Sequence, residues 1–184
     1  GLDVLVNNAG IAVHNSLLNT SLGSWRREQA INMEGTFLGT KHAVDVMRPG
    51  GTSGSGGSII NVSSVGGVIG APDMASYCAS KGAVRNFTKA VAVECGAYGH
   101  NVRVNSVHPG NTMTPMFKQE FEDMVKNGEA ESVEAALKFY MDMQVLPEVG
   151  EPEDMGAMIL FLASDASKFI TGAEMHVDGG MLAK

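Results

Sequence analysis

The sequence is short of cysteine, of basic residues and of long apolar runs, and each shortage argues against a class of protein. Two cysteines among 184 residues are too few for a disulfide-rich scaffold. Thirteen basic residues against 20 acidic ones give a net charge of −7 without a basic cluster, which argues against nucleic acid or an anionic membrane as a partner. No apolar run is long enough to span a membrane as a helix.

The remaining composition fits one globular domain with a buried core. Hydrophobic residues make up 44% of the chain and charged residues 18%, which is the balance of a folded protein. Cys78 and Cys95 fall on one predicted helix, seventeen residues and therefore roughly 25 Å apart, so they cannot form a disulfide. Two free thiols and no secretory segment predict a cytoplasmic location. The five histidines lack metal-ligand spacing, and we predict no metal site.

The most informative stretch of the chain runs from Asn61 to Lys81. It follows a run of β-forming residues at 57–62 and leads into an alanine-rich segment that predicts a helix. Tyr77 and Lys81 lie four positions apart in that segment, so a helix places both side chains on one face, about 5–6 Å apart at Cβ. Ser64 ends the predicted strand thirteen positions before the tyrosine. A hydroxyl, a phenol and an amine therefore fall close together in the chain.

These three groups suggest proton transfer at an alcohol or carbonyl oxygen. An ammonium beside a phenol favours the ionised form and lowers the pKa of the phenol. Lowering the pKa of Tyr77 from about 10 to about 7 requires roughly 4 kcal/mol. One screened lysine does not supply that much, so a desolvated pocket and a second positive charge are expected. On spacing alone, an exposed helical pair and a strand-end turn explain Tyr77, Lys81 and Ser64 equally well.

Motifs outside this stretch favour the chemical interpretation. Ser64 and the segment Tyr77-Cys78-Ala79-Ser80-Lys81 resemble the active-site signature of the short-chain dehydrogenase/reductase family. Asn7-Asn8-Ala9-Gly10 upstream and His108-Pro109-Gly110 downstream match that family in order and spacing. The resemblance covers nearly the whole chain. The motif sequences are most similar to those of bacterial hydroxysteroid and cyclic-alcohol dehydrogenases.

The resemblance implies an NAD(P)-dependent oxidoreductase that interconverts a secondary alcohol and a ketone. Tyr77 is the implied acid/base, and Ser64 the implied donor that positions the substrate oxygen. Lys81 is implied to lower the pKa of the tyrosine and to hold the nicotinamide ribose. Asn32, a polar residue within an apolar helical stripe, is the implied anchor of a water that links Lys81 to solvent. Without the family, Asn32 is explained equally well as a helix kink.

The resemblance also implies a site for NAD or NADP at the carboxyl ends of the strands. Besides Tyr77 and Lys81, the residues it assigns to the cofactor are Asn7, Ala9, Gly10, Pro109, Gly110, Thr112 and Thr114. The first three follow the first predicted strand, where small residues let a cofactor approach the backbone, and a simple turn is the alternative. The last four follow the third strand, and the two threonines are the implied contacts of the nicotinamide carboxamide. His108 is left out of the catalytic set, because a histidine at a strand end is more often structural.

The Gly-rich fingerprint that cradles a pyrophosphate in this family is missing where the family has it, before the Asn7–Gly10 motif. The chain begins with an apolar run, residues 2–6, that predicts a strand buried on both faces. The glycine-rich stretch at 50–57 precedes a strand, so it would lie at the amino end of that strand, and we predict a surface turn. We therefore expect a Rossmann-like, doubly wound and mostly parallel α/β fold that lacks its N-terminal βα units, with residues 1–184 forming the C-terminal part of a single domain.

Residues 112–150 interrupt the alternation of strands and helices with two predicted short helices, around 116–126 and 132–143. An insertion after the carboxyl end of a strand is where a lid over substrate is expected. Its methionines and phenylalanines offer a pliable lining for an apolar, steroid-like or cyclic substrate, although plain helix packing explains any single one of them. The resemblance further implies a homotetramer with contacts through the last helix and strand.

Two other classes of function stay open on the sequence. A non-catalytic binding or assembly protein could retain this fold without a cofactor, but the intact set of Ser64, Tyr77, Lys81 and Asn32 weighs against that role. A serine hydrolase using Ser64 is disfavoured, because Val62 stands where the G-x-S-x-G elbow requires glycine. No histidine or acid is visibly placed in the sequence to serve that serine.

Overall fold

A four-stranded parallel sheet forms the centre of the fold. The computed structural model describes residues 1–184. Strands β1 (Val4–Asn7), β2 (Gly57–Val62), β3 (Val102–Pro109) and β4 (Glu174–Val177) lie side by side in this order, and every neighbouring pair is parallel. Helices make the crossovers, so the carboxyl ends of all four strands meet at one edge of the sheet. The predicted Rossmann-like, mostly parallel α/β fold is confirmed.

Helices cover both faces of this sheet. They are α1 (Leu22–Gln29), α2 (Gly35–Met47), α3 (Ala75–Ala97), α4 (Pro115–Lys126), α5 (Val133–Met141) and α6 (Pro152–Ala163). On one face, Ile59 and Val104 belong to a buried cluster under α2 and α3. On the other face, Leu162 of α6 packs on Ile60 and Val107. None of the helices combines the length and the apolar composition that a membrane crossing requires.

Helices α1 and α2 form one uninterrupted helical segment. A π-helical turn at Ala30–Glu34 joins them, and the cap residues on both sides keep helical backbone angles. Ser21 caps the segment, since its Oγ accepts a hydrogen bond from the Ser24 amide at 3.1 Å. The turn contains Asn32. Single π-turns of this kind frequently occur at functional sites.

Strand β1 is an edge strand, so the expectation that both its faces are buried is wrong. Val4 and Val6 are 36% and 37% exposed, whereas Leu5 packs against the cluster under α2 and α3. The reason is the placement of α6, which packs mainly on β2, β3 and β4 and leaves the other face of β1 open. An apolar run predicts a strand, but it does not show which of its faces a helix covers.

The glycine-rich stretch at 50–57 lies where the sequence places it, at the amino end of β2. Gly50, Gly54 and Gly56 have the spacing G-x-x-x-G-x-G, and all three adopt positive φ, at 84°, 68° and 83°. Glycine adopts such angles without strain. The stretch is nevertheless a turn on the side of the sheet opposite to the carboxyl ends, so it does not form the phosphate cradle that its spacing suggests.

Candidate active site

Tyr77 and Lys81 share one face of α3 beside the carboxyl end of β2. Lys81 is only 5% exposed, and its Nζ donates a hydrogen bond to the Val62 carbonyl at 2.9 Å. The same Nζ lies 5.8 Å from the centroid of the Tyr77 ring. The structure therefore brings together the phenol and the amine that the i, i+4 spacing places on one helix face.

Ser64 reaches the same place from the end of β2. It begins a short 3-10 turn at Val65–Gly67, and its Oγ accepts a hydrogen bond from the Gly66 amide at 3.1 Å. A Cβ on Gly66 would lie 3.3 Å from the Tyr77 ring and 3.5 Å from the Ser64 Oγ, so the absence of a side chain there leaves the two groups adjacent. The nearby Ser64 side chain acts to lower the pKa of Tyr77.

Burial outweighs that effect and raises the pKa of Tyr77 above its ordinary value. The charge of Glu28 acts in the same direction. The net pKa of Tyr77 is thus raised although Lys81 is near, and the effect of Lys81 on the phenol stays a prediction. Burial also lowers the pKa of Lys81 to about 8, against the attraction of Glu28. Lowering the pKa of Tyr77 to about 7 takes roughly 4 kcal/mol, so a positive charge from outside the chain would have to contribute.

The lowered pKa of Lys81 predicts a rise of stability with pH. The unfolded chain binds the lysine proton up to its ordinary pKa of 10.5, whereas the folded chain releases it near pH 8. Between these values the unfolded state holds more protons, so the free energy of unfolding increases with pH, by up to about 3 kcal/mol from this group. Urea unfolding at several pH values should show that increase in the wild type and its loss in Lys81→Met.

The exposed Lys168 offers the matched control for this measurement. Lys168→Met should keep the wild-type dependence of stability on pH, because it removes an amine that water solvates in both states. If Lys81→Met and the wild type gained equal stability between pH 8 and 10.5, the buried amine would not be the titrating group.

Asn32 is 1% exposed, and its side chain joins the loop after β1 to helix α3. Its Nδ2 donates to the Ser80 hydroxyl and to the Ile11 carbonyl, each at 2.9 Å, and its Oδ1 accepts from the Ile11 amide at 2.8 Å. A Cβ on Gly10 would lie 3.3 Å from both the Asn32 Oδ1 and the Lys81 Nζ. Asn32 thus lies beside the lysine, and its part in a proton relay stays a prediction.

The Asn7 side chain is part of the framework at the end of β1. Its Nδ2 donates to Asn61 Oδ1 at 2.8 Å and to Thr40 Oγ1 at 3.1 Å, which ties β1 to β2 and α2. Asn61 in turn donates to Thr88 of α3 at 2.9 Å. These contacts use the Asn7 amide for strand and helix packing. At the end of β1, we therefore expect a cofactor to contact the backbone and the small residues after Asn7, and not the Asn7 side chain.

A cavity of about 150 Å³ opens beside this framework. Its lining includes Asn7, Asn8 and Ala9 from the end of β1 and Thr36 from α2. Gly10 follows directly, and a side chain there would crowd the ends of Lys81 and Asn32. The predicted cofactor residues Ala9 and Gly10 therefore lie between the carboxyl end of β1 and the buried lysine.

The end of β3 supplies the second group of predicted cofactor residues. Pro109 still belongs to the strand and is in register with Val177, so it lies within β3 and not after the strand as the sequence indicated. Gly110 follows, and a Cβ there would lie 2.7 Å from the Asp178 Cα. Only glycine allows this approach of the two backbones.

Thr112 and Thr114 lie just beyond Gly110, and both hydroxyls contact the backbone. Thr112 donates to the Gly110 carbonyl at 3.1 Å. Thr114 caps α4, since its Oγ1 accepts from the Phe117 amide at 3.2 Å. The structure places both threonines at the ligand edge of the sheet. Their contact with a carboxamide stays a prediction.

The segment 112–150 contains helices α4 and α5, close to the predicted bounds. Phe117, Phe121 and Tyr140 pack on one another, with ring centroids 4.6 to 5.8 Å apart, and Phe121 is 3% exposed. For these side chains the alternative of plain helix packing is correct. Met116 and Phe139 are about half exposed, so they are free to line a substrate.

Glu28 lies in the site as well, although its sequence context did not predict it there. This carboxylate is completely buried, its Oε1 accepts from the Val13 amide at 3.0 Å, and its Oε2 has no hydrogen-bond partner. Its charge raises the pKa of both Tyr77 and Lys81. The only signal in the sequence is its position four residues before Asn32 on the same helix. Two arginines directly precede Glu28, and such a charged stretch predicts a solvent-exposed helix face.

His108, Glu174 and His176 form the one group of side chains with the proximity of metal ligands, within 4.8 Å of one another. Burial raises the pKa of Glu174, but hydrogen bonds and charges from Arg85 and Lys89 outweigh it and lower the pKa to about 2. The Arg85 Nε lies 2.8 Å from the carboxylate. Both ring nitrogens of His108 are hydrogen-bonded as well. Ion pairs and hydrogen bonds within the protein thus account for this cluster.

Comparison with known proteins relates this chain to dehydrogenases. A family model described as enoyl-(acyl carrier protein) reductase matches residues 1–182. An NADP-dependent (R)-specific alcohol dehydrogenase from Lentilactobacillus kefiri is 42% identical over 180 residues, which are 98% of this chain and 66% of the relative. A 3-alpha-(or 20-beta)-hydroxysteroid dehydrogenase from Mycobacterium bovis is 39% identical over 183 residues, which are 100% of this chain and 62% of the relative.

A solved structure agrees with these relatives. A 4-hydroxyisoleucine dehydrogenase complexed with NADH and succinate superposes with a TM-score of 0.78 at 30% sequence identity, covering 100% of this chain and 71% of that one. The chain thus spans less than two thirds of the length of the two curated relatives, at 66% and 62%.

Proposed function

Because this chain belongs to the short-chain dehydrogenase/reductase family, we propose that it acts as an NAD(P)-dependent oxidoreductase that interconverts a secondary alcohol and a ketone. One observation carries the proposal: a hydroxyl, a half-buried phenol and a buried ammonium meet at the carboxyl edge of a parallel sheet. They belong to Ser64, Tyr77 and Lys81. That edge is where ligands bind in open α/β folds.

Tyr77 moves the proton in this mechanism. Its raised pKa keeps the phenol protonated near neutral pH, so it can donate a proton to a carbonyl oxygen during reduction. In the reverse direction it accepts the proton of the alcohol. Ser64 donates a hydrogen bond to the same oxygen, and it stabilises the negative charge that develops there. The adjacency of the two side chains supports these roles.

Lys81 supplies a positive charge that a salt solution screens little, because the amine is buried. With its pKa near 8 the ammonium is protonated at neutral pH. Its charge favours the ionised phenol during oxidation, when Tyr77 must act as the base. Asn32, next to Lys81, is our proposed link from this ammonium to solvent.

The residues around Lys81 fit a nicotinamide nucleotide. Ala9 and Gly10 follow the end of β1 and Gly110 follows β3, and the cavity beside β1 lies at the same edge. Lys81 would hold the ribose, and Thr112 and Thr114 would contact the carboxamide. When bound, the nicotinamide supplies or accepts the hydride. A relative that is NADP-dependent and a neighbour complexed with NADH support the assignment to NAD or NADP.

The substrate we propose is apolar, either steroid-like or cyclic. Helices α4 and α5 follow β3 directly, and they carry Met116 and Phe139 with about half of each side chain exposed. An apolar substrate would bury these surfaces beneath a lid. The names of similar proteins, among them a hydroxysteroid dehydrogenase and a cyclopentanol dehydrogenase, support this substrate class.

A cytoplasmic homotetramer completes the proposal. Both cysteines are free thiols, which suits a reducing compartment. Leu160 on α6 and Phe169 after it are 71% and 101% exposed, and Phe37 and Leu38 on α2 are 43% and 49% exposed. Such outward apolar side chains are typical of subunit contacts. They support an assembly that buries the last helix.

Titration of the purified protein with NADH and with NADPH tests the cofactor, and turnover of cyclic alcohols and hydroxysteroids tests the reaction. We expect saturable binding of at least one dinucleotide, followed by reduction of NAD or NADP in the presence of a secondary alcohol. Failure of a folded protein to bind either dinucleotide would contradict the cofactor assignment. Binding without oxidation of any alcohol or reduction of any ketone in the panel would contradict the reaction.

A further inference from the structure

His108 is completely buried at the end of β3, and both its ring nitrogens have partners. Nδ1 lies 3.1 Å from the backbone carbonyl oxygen of Ser64, and Nε2 lies 2.8 Å from the hydroxyl oxygen of Ser106. The ring therefore connects β3 to the backbone of the residue that carries the proposed hydroxyl donor. The sequence analysis assigned this histidine no part in the site.

The partners determine which nitrogen carries the hydrogen. A carbonyl oxygen only accepts, so Nδ1 must donate to Ser64. In the neutral ring, Nε2 is then the acceptor of the Ser106 hydroxyl. Burial lowers the pKa of His108, which keeps the ring neutral near pH 7. The neutral tautomer satisfies both contacts at once.

The contact lies where the sheet ends and the catalytic turn begins. The β2–β3 pairing reaches Val62 opposite Val107, and one more bond follows, from the Ser63 amide to the Val107 carbonyl at 2.8 Å. At Ser64 the chain leaves the sheet, and no backbone amide of β3 is paired with its carbonyl. Instead of a backbone amide, the His108 side chain of β3 donates the hydrogen bond to the Ser64 carbonyl.

The position of the Ser64 hydroxyl depends on the peptide that His108 holds. Ser64 has an extended backbone, with φ −172° and ψ 163°, and its carbonyl also accepts from the Gly67 amide at 2.9 Å. Two donors thus fix this carbonyl, one within the turn and one from the sheet. Only the bond from His108 ties the turn to the sheet through this carbonyl.

We infer that His108 is a positioning residue, which holds the Ser64 peptide so that the serine hydroxyl points to the substrate oxygen. The inference rests on the proposed dehydrogenase function, and it adds a residue to that site. The Nδ1–H of the neutral ring makes the contact, by donating to the Ser64 carbonyl oxygen. His176, whose ring packs edge-on at 5.1 Å, and the Glu174–Arg85 ion pair face the imidazole from β4 and α3.

Two variants of equal shape separate the hydrogen bond from the packing of the ring. Asparagine and leucine at position 108 leave the same space, but only asparagine retains an N–H at the place of Nδ1. We expect His108→Leu to lower kcat by about ten- to a hundredfold with little change in the Kd for the dinucleotide. His108→Asn should restore most of that loss. Equal kcat losses in both variants, at equal thermal stability, would contradict the inference.

A double-mutant cycle with Ser64→Ala supplies the second readout. If His108 acts through the Ser64 hydroxyl, His108→Leu should have little further effect on kcat once that hydroxyl is gone. A merely structural histidine would lower kcat by the same factor in both backgrounds, which would overturn the inference. The wild type is assayed first: absence of turnover there is a failure of the proposed function, whereas turnover with an unaffected His108→Leu refutes only the role of the histidine.

Discussion

Replacement of Tyr77 by phenylalanine is expected to lower kcat by about 10²- to 10⁴-fold, which is the usual effect of removing a general acid or base. The change deletes one hydroxyl from a half-buried ring and leaves the ring and its packing in place. Dinucleotide binding should persist, because Lys81 and the small residues at the strand ends are untouched. Steady-state turnover, together with a titration of NADH or NADPH against the variant, measures both quantities.

Tyr98 offers a matched control for this change. It follows α3 in the chain, and it is 70% exposed, whereas Tyr77 is half-buried. Tyr98→Phe removes the same atom and should leave kcat within about twofold of the wild type, since exposed surface changes have small effects. Residual activity of Tyr77→Phe above one tenth of the wild-type value would remove the phenol from the proposed mechanism.

The predictable part of the site is the part that local spacing determines. Tyr77 and Lys81 share a helix face because they are four residues apart, and any helix there would place them so. Ser64 and Gly110 lie at one edge because parallel strands have their carboxyl ends together. For these residues the sequence predicts the helix or strand, and the position of the residue within that helix or strand determines where its side chain lies.

The residues that the sequence did not reveal depend on contacts between distant segments. Glu28 stands in a charged stretch, yet its side chain is buried because the loop after β1 folds over it and uses its Oε1. His108 meets Ser64 across 44 positions. No periodicity within a helix or strand encodes such a pairing, since it arises only when the sheet brings two strand ends together.

The pKa of Tyr77 shows a further limit of the sequence argument. The neighbouring Lys81 predicts a lowered pKa for Tyr77, and the Ser64 side chain acts in that direction as well. Burial outweighs both neighbours, so the pKa of Tyr77 is raised instead. A sequence indicates which charges are near, but the degree of desolvation depends on how well the surrounding segments cover the group.

Gly67 should prove as important for the site as its polar residues. A Cβ at this position would lie 2.7 Å from the Lys81 carbonyl oxygen and 2.7 Å from the Ser63 hydroxyl. The Ser63 hydroxyl donates to the same carbonyl at 2.8 Å, so the turn that carries Ser64 rests directly on the backbone of α3. Gly67→Ala must push the turn and the helix apart. We expect a loss of roughly 1–3 kcal/mol in the free energy of unfolding and a fall in kcat of about a hundredfold.

Gly70 separates this effect from the general cost of replacing glycine. It lies in the same loop, and a Cβ there would meet no atom within 4 Å. Gly70→Ala should therefore retain the wild-type kcat and gain a few tenths of a kcal/mol, because alanine restricts the unfolded chain. Urea unfolding and steady-state kinetics of both variants make the comparison. Equal behaviour of the two would mean that the turn tolerates displacement from α3, and the distance between Ser64 and Tyr77 would then not limit the reaction. A defect confined to Gly67→Ala would show that the catalytic geometry depends on a backbone contact as well as on the side chains that transfer the proton.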